Sequence, residues 1–258
     1  TGATPVPVPI REANGFAFSA EETLGLITPR TRLLILNSPA NPTGGVTPKA
    51  EIDTLVAGLA AHPDVAIMSD EIYGTMTYDG ERHHTLLAYP EIRDRLIYLD
   101  GASKTYAMTG WRLGWSVWPA PLYDAARKLA VNSFSCVNAA TQWAGIAALD
   151  GPQDCVAAMM AEFDRRRLLV VEGLNRLPGV SCITPKGAFY AFPNIGQTGW
   201  KAKALASALL EEAGVATIGG PDFGVHGEGY LRLSYANSAE NISRALERIG
   251  AFLEQNRR

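Results

Sequence analysis

Short apolar runs that alternate with amphipathic helical patterns constrain the fold of this chain more than any other feature. Leu33 to Leu36, Val65 to Met68, Leu96 to Leu99 and Leu113 to Val117 are strand-length runs, and most give way to polar or turn-forming residues. After the first run comes Asn37-Ser38-Pro39-Ala40-Asn41-Pro42-Thr43-Gly44-Gly45, too rich in Pro and Gly to be anything but a loop. A helix is predicted next. Thr47 can cap it, Pro48 suits its first position, and Ile52, Leu55, Val56 and Leu59 share one face. The alternation predicts an α/β fold with a mostly parallel sheet flanked by helices.

The second half reads differently. From about residue 152 a long helical pattern carries Val156, Met159, Met160, Phe163, Val170, Leu174 and Leu177 and stops at Pro178-Gly179. Strand-like runs follow at Val180 to Thr184, Ala188 to Phe192, Val215 to Ile218 and Tyr230 to Tyr235, with a helix near Lys201 to Glu212 among them. A last helix from about Ser238 to Leu253 places Ile242, Ala245, Leu246, Ile249 and Leu253 together. These elements predict a smaller C-terminal α+β domain, so the expected division is 1–151 and 152–258.

Composition narrows the class of partner. A formal net charge of -3 with scattered Lys and Arg gives no basic footprint, and no nucleic acid is expected. The three cysteines, Cys136, Cys155 and Cys182, are odd in number and lack close spacing, which argues against a disulfide framework or a structural zinc site. A cytoplasmic location and no metal are the expectations. No apolar stretch approaches the roughly 20 residues of a membrane span, so no membrane partner is expected either.

Ligands of open parallel sheets bind beyond the carboxyl ends of the strands. Asn41, Asp70, Tyr73 and Lys104 all fall just past such ends. In Gly101-Ala102-Ser103-Lys104-Thr105-Tyr106-Ala107-Met108-Thr109-Gly110-Trp111-Arg112 an amine, a hydroxyl and a guanidinium come close together, able to hold a phosphorylated carbonyl compound covalently and balance its charge. Singly, each residue has a plainer use: a surface lysine, a helix-capping aspartate, a turn asparagine before proline, a surface arginine at Arg232. The run is not a nucleotide-binding P-loop, because Tyr98 and Ser103 stand where that pattern needs glycine. Packing against the sheet suffices to account for Trp115 and Trp118.

Taken in order, Asn37 to Gly44, Asp70-Glu71-Ile72-Tyr73, Ser103 to Gly114 and Leu231-Arg232-Leu233-Ser234-Tyr235-Ala236 resemble the pyridoxal-phosphate enzymes of fold type I, the aspartate aminotransferase superfamily. The resemblance runs from about Thr4 to Phe252. It implies that Lys104 binds the cofactor aldehyde and then shuttles a proton, that Asp70 pairs with the pyridine nitrogen, and that Tyr73 and Asn41 meet the phenolic oxygen. Ser103 and Arg112 would hold the phosphate, while Arg232, assisted by Asn41, would clamp the substrate α-carboxylate as a planar fork. Many relatives have Ser-x-Ser-Lys where this chain has Gly101-Ala102-Ser103-Lys104, so one phosphate hydroxyl is missing here.

The resemblance also implies that the natural chain is longer, and that the large domain is N-terminally incomplete. Relatives begin upstream, with an N-terminal arm, a glycine-containing phosphate loop and an aromatic that stacks on the ring. A fragment of this kind is expected to bind cofactor poorly or to fold incompletely. The implied activity is transfer of an amino group from an amino acid to a 2-oxo acid, by a homodimer when full length. The wording around Lys104 leans toward the bacterial branch that includes aspartate aminotransferases. A C–S β-lyase of the same fold type, or a non-catalytic sensing or interaction domain, would share much of the pattern.

Overall fold

The computed structural model describes residues 2–256; Thr1, Arg257 and Arg258, at the outer ends of the two expected domains, lie outside the described residues. The chain divides into two compact units that interleave in sequence. One comprises Ala17–Pro39 and Val46–Ala158, the other Thr1–Phe16, Ala40–Gly45 and Met159–Arg258. This division does not follow 1–151 and 152–258 segment for segment, because the chain's first residues and the Asn41 loop make their contacts with the C-terminal part.

The first unit opens with α1 (Ala20–Gly25), β1 (Leu33–Asn37), α2 (Lys49–Gly58) and β2 (Ala66–Asp70). It continues through β3 (Leu96–Gly101), the single turn α3 (Ala102–Thr105) and β4 (Gly114–Val117). The strands lie in chain order, β1, β2 and β3 parallel and β4 antiparallel to β3. The expected face of α2 packs on the sheet: Ile52, Leu55 and Val56, with Leu59 of the 3₁₀ turn that follows, are buried with Leu34, Leu36, Ile67 and Leu96. Each such side chain taken from water contributes about 1.5–3 kcal/mol. The start of α2 departs from expectation. Pro48 is the N-cap rather than the first helical residue, and Thr47 does not cap it; the Thr47 N–H instead donates to Ser38 Oγ.

Two helices that hydrophobic spacing did not announce follow, α4 (Ala120–Phe134) and α5 (Ala139–Asp150), the latter capped by Asn138. No residue of α4 is buried, and Trp111, Val117, Leu129, Phe134, Trp143 and Leu149 are exposed. Trp115 and Trp118 are only half-buried, so sheet packing does not account for them fully; Trp118 Nε1 donates to Ser116 Oγ.

The long helix α6 (Asp154–Asn175) spans the sequence boundary between the units. Its buried stripe is Phe163, Arg167, Val170, Val171 and Leu174, an arginine standing where the apolar pattern had a gap. In the second unit β5 (Tyr190–Ala191), α7 (Ala202–Ala213), β6 (Ile218–Gly219), β7 (Leu231–Ser234) and α8 (Ala239–Gln255) follow. The antiparallel order is β5-β7-β6. The Val180 to Thr184 run forms only an isolated bridge from Ser181 to Asn194. Ser238 Oγ caps α8 by accepting from Asn241 N–H, and Ile242, Leu246, Ile249 and Leu253 form its buried face.

Candidate functional site

In the first unit, parallel pairing puts Asp70 at the C-terminal end of β2, opposite Leu99 of β3. Lys104 follows β3 by three residues, on α3. Two strand ends thereby bring side chains 34 positions apart in sequence to one edge of the sheet. Lys104 Nζ stands 5.8 Å from the ring centroid of Tyr73, which is 3% exposed.

Asp70 is half-buried and under-supplied with donors. Oδ1 accepts a 3.3 Å bond from Ile72 N–H, and no donor to Oδ2 occurs among the described residues. Burial pushes this carboxyl above its ordinary value and the charge of Glu71 adds to the push, while Ile72 N–H and Lys104 oppose it. A half-buried carboxylate with an oxygen left over suits an external cationic N–H. The backbone behind it is fixed, since Asn37 Nδ2 donates to the Asp70 carbonyl at 3.0 Å.

Ser103 and Arg112 lie on either side of a tight loop. Ser103 is half-buried in α3, whereas Arg112 follows the 3₁₀ turn Thr109–Trp111 in a left-handed conformation (φ 55°). The Arg112 guanidinium is exposed, and its one hydrogen bond among the described residues goes from Nη1 to Thr109 O. Its other N–H groups stay available to an anion. The missing hydroxyl at Gly101 has a steric counterpart. A Cβ there would lie 2.9 Å from Leu113 O and 3.0 Å from Gly114 Cα, because β3 and β4 close tightly at that pair.

The second unit holds the other two candidates together. Arg232, on β7, donates from Nη1 to Asn41 Oδ1 at 2.9 Å. Its guanidinium carbon lies 4.7 Å from the Tyr190 ring centroid and 4.9 Å from that of Phe223. Nε is buried without a hydrogen-bond partner among the described residues. A planar cation set against two rings, with unused donors, suits a carboxylate. The Asn41 loop is tethered by Lys186 and Gly187, whose N–H groups both donate to Gly44 O at 2.9 and 2.8 Å. Arg167, buried in α6, donates in turn to Pro185 O at 2.9 Å.

Sequence reasoning missed Tyr190 and Phe223 beside Arg232, and it gave Glu71 no role of its own. Tyr190 and Phe223 meet Arg232 only through strand pairing and a turn, so no spacing announces them. Glu71 beside Asp70 was the one visible signal.

The protein family described as aminotransferase class I and II matches residues 1–249. An aspartate aminotransferase of Geobacillus stearothermophilus is 39% identical over 98% of this chain and 65% of its own length. Aromatic-amino-acid aminotransferase 2 of Thermococcus litoralis is 38% identical over the same shares. A crystal structure of an aromatic aminotransferase from Pyrococcus horikoshii OT3 superposes with a TM-score of 0.93 at 38% identity, covering 97% of this chain and 67% of that one. The chain thus spans about 65% of the length of these curated relatives. With its matched motifs, its two-unit fold and this coverage, the chain belongs to the class I and II aminotransferase family.

Proposed function

We propose that the chain is the part of a pyridoxal-phosphate-dependent aminotransferase that carries the reactive lysine and the carboxylate clamp. The observation that carries this reading is Lys104 beside Tyr73 at the strand edge that also holds Asp70, with an open carboxylate oxygen on Asp70. Pyridoxal 5'-phosphate, the cofactor of the family, supplies an aldehyde and an electron-accepting ring when bound. Lys104 would hold the aldehyde and, once substrate displaces it, carry a proton between the substrate carbon and the cofactor. Asp70 would keep the ring nitrogen protonated, its unfavourable half-buried charge offset by that cation. Tyr73 would donate to the phenolic oxygen, Ser103 and Arg112 would bind the phosphate, and Arg232 with Asn41 would orient a substrate carboxylate.

The substrates in this reading are an amino acid and a 2-oxo acid. The relatives' names include aspartate and aromatic amino acids, and aspartate or a similar amino acid is the substrate proposed. A homodimeric assembly in the cytoplasm is also proposed. The exposed apolar side chains along α4 and α5 support a subunit contact. Among the described residues no helix is long and apolar enough to cross a membrane.

The test is an absorption band from cofactor bound to the protein, trapped on Lys104 by borohydride and lost in Lys104→Ala. Absence of the band from the protein would count against both transamination and the C–S β-lyase reaction. Release of pyruvate and ammonia from a cysteine conjugate, without transfer to a 2-oxo acid, would replace transamination by β-elimination.

A further inference from the structure

Next to Asp70, the first unit buries a second carboxylate that the proposed reaction does not use. Glu71 is 3% exposed, and its Oε1 accepts from Ser69 Oγ at 2.8 Å and from Leu86 N–H at 3.0 Å. Oε2 lies 2.6 Å from His83 Nε2. Burial alone would push this carboxyl up; the His83 bond and charge, Leu86 N–H and the Thr85 hydroxyl outweigh it and hold the carboxyl below its ordinary value. The pair is therefore a fully supplied anchor, unlike the open carboxylate of Asp70.

What it anchors is the turn that carries Tyr73. Glu71 N–H donates to Leu99 O at 2.9 Å, keeping the start of the turn in register with β3, and Gly74 N–H donates to Glu71 O at 2.7 Å, closing it. The His83 ring lies near the far end. A Cβ at Gly74 would stand 3.0 Å from His83 Cδ2 and 3.1 Å from Glu71 O, so a side chain here would press the imidazole and the turn apart by a few tenths of an ångström. One imidazole thus bonds the carboxylate at one end of the turn and lies where a side chain at the other end would meet it. Tyr73 lies between those ends, and Asp70 immediately precedes them.

We propose that His83 is a positioning residue: through its bond to Glu71, whose own backbone closes the turn onto Gly74, it fixes the turn Glu71–Gly74, and so sets where Tyr73 and Asp70 stand at the strand edge. What those two residues face rests on the function proposed above. Neither Glu71 nor His83 is proposed to touch the cofactor.

The test compares the wild-type chain with His83→Ala, His83→Gln, which keeps an N–H for Glu71, and Gly74→Ala, which crowds the ring without removing it. The first measurement, without cofactor, is amide hydrogen exchange at Gly74 and Leu86, with the amides of β1 as internal reference. Exchange in His83→Ala should quicken about tenfold or more at both sites, with β1 unchanged and protection largely restored in His83→Gln. Equal protection in wild type and His83→Ala would overturn the proposal whatever the cofactor does. If His83→Ala does not fold, Gly74→Ala carries the same comparison.

The second measurement adds pyridoxal 5'-phosphate and follows the pH midpoint of the lysine-bound absorption band. A misplaced Tyr73 hydroxyl no longer stabilises the anionic phenolic oxygen, so the midpoint should rise by about one unit in His83→Ala and return in His83→Gln. Altered exchange with an unmoved midpoint would overturn the positioning of Tyr73. A wild-type chain with no band, yet with the expected exchange pattern, would support the fastening of the turn and overturn the cofactor reading instead.

Discussion

Asn41 Oδ1 accepts a hydrogen bond from Arg232 Nη1 at 2.9 Å, joining side chains 191 positions apart. The bond uses one corner of the guanidinium, and the rings of Tyr190 and Phe223 fix its plane. Lysine cannot reproduce that plane or the second donor edge. In the proposed transamination, Arg232→Lys should leave the lysine-bound cofactor band intact while raising KM for the carboxylate substrate about 10-fold to 150-fold, the loss of a charge-assisted bond. Steady-state kinetics with a cofactor titration check it; a lowered kcat at unchanged KM would show that Arg232 does not bind the carboxylate.

Asp70 titrates against its surroundings. Burial raises its pKa, so its contribution to stability is fully present below the unfolded-state pKa and is lost as pH rises through the folded value. Asp70→Asn removes that loss. Without cofactor the variant should melt no lower than wild type near neutral pH, and the gap should close in acid. Melting curves at both pH values decide this, and a neutral-pH Tm clearly below wild type would mean that the charge is stabilising.

Gly101→Ser would restore the hydroxyl that many relatives carry, yet the structure has no room for it. With Leu113 O 2.9 Å from the added Cβ, β4 must shift away from β3. A loss of about 1–3 kcal/mol is expected from urea unfolding, with no gain in cofactor affinity. Tighter cofactor binding at unchanged stability would show that β4 yields freely.

Arg167 is 1% exposed, and its guanidinium binds Asp164 on one side and Pro185 O on the other. Arg167→Met fills the volume but leaves that carbonyl without its donor. Unfolding should be easier by about 1–3 kcal/mol. Because Lys186 and Gly187 hold the Asn41 loop, proteolysis near Asn41 should quicken as well. An unchanged denaturation midpoint would mean that a neighbouring donor or water takes over the carbonyl.

Thiol chemistry should separate the cysteines. Cys136 and Cys155 are exposed, whereas Cys182 is buried and its thiol is pushed up to about 12 by burial. In the folded chain a maleimide reagent at neutral pH should label the two exposed residues rapidly and Cys182 only after unfolding, as peptide mass mapping would read. Rapid labelling of Cys182 would reveal frequent opening of the second unit.

Local pattern carried the periodic elements well. The face of α2, the parallel strands β1 to β3 and the amphipathic α8 were legible because burial on one side imposes a period on the residues themselves. α4 and α5 were not legible: α4 buries nothing, so no stripe marks it. Pro48 fell one position outside its predicted place, since Thr and Pro next to one another at a helix start permit more than one capping geometry.

The sequence by itself determined the chemistry on offer: a lysine after a strand, an aspartate after its neighbour and an arginine on a late strand, in motifs ordered along the chain. Only the tertiary structure decided which groups share those residues' surroundings. Tyr190 and Phe223 flank Arg232, Arg167 replaces an apolar side chain in α6, and Glu71 with His83 fastens the turn beside Asp70. Such pairings come from strand register and loop closure between distant segments, and neither leaves a period in the sequence.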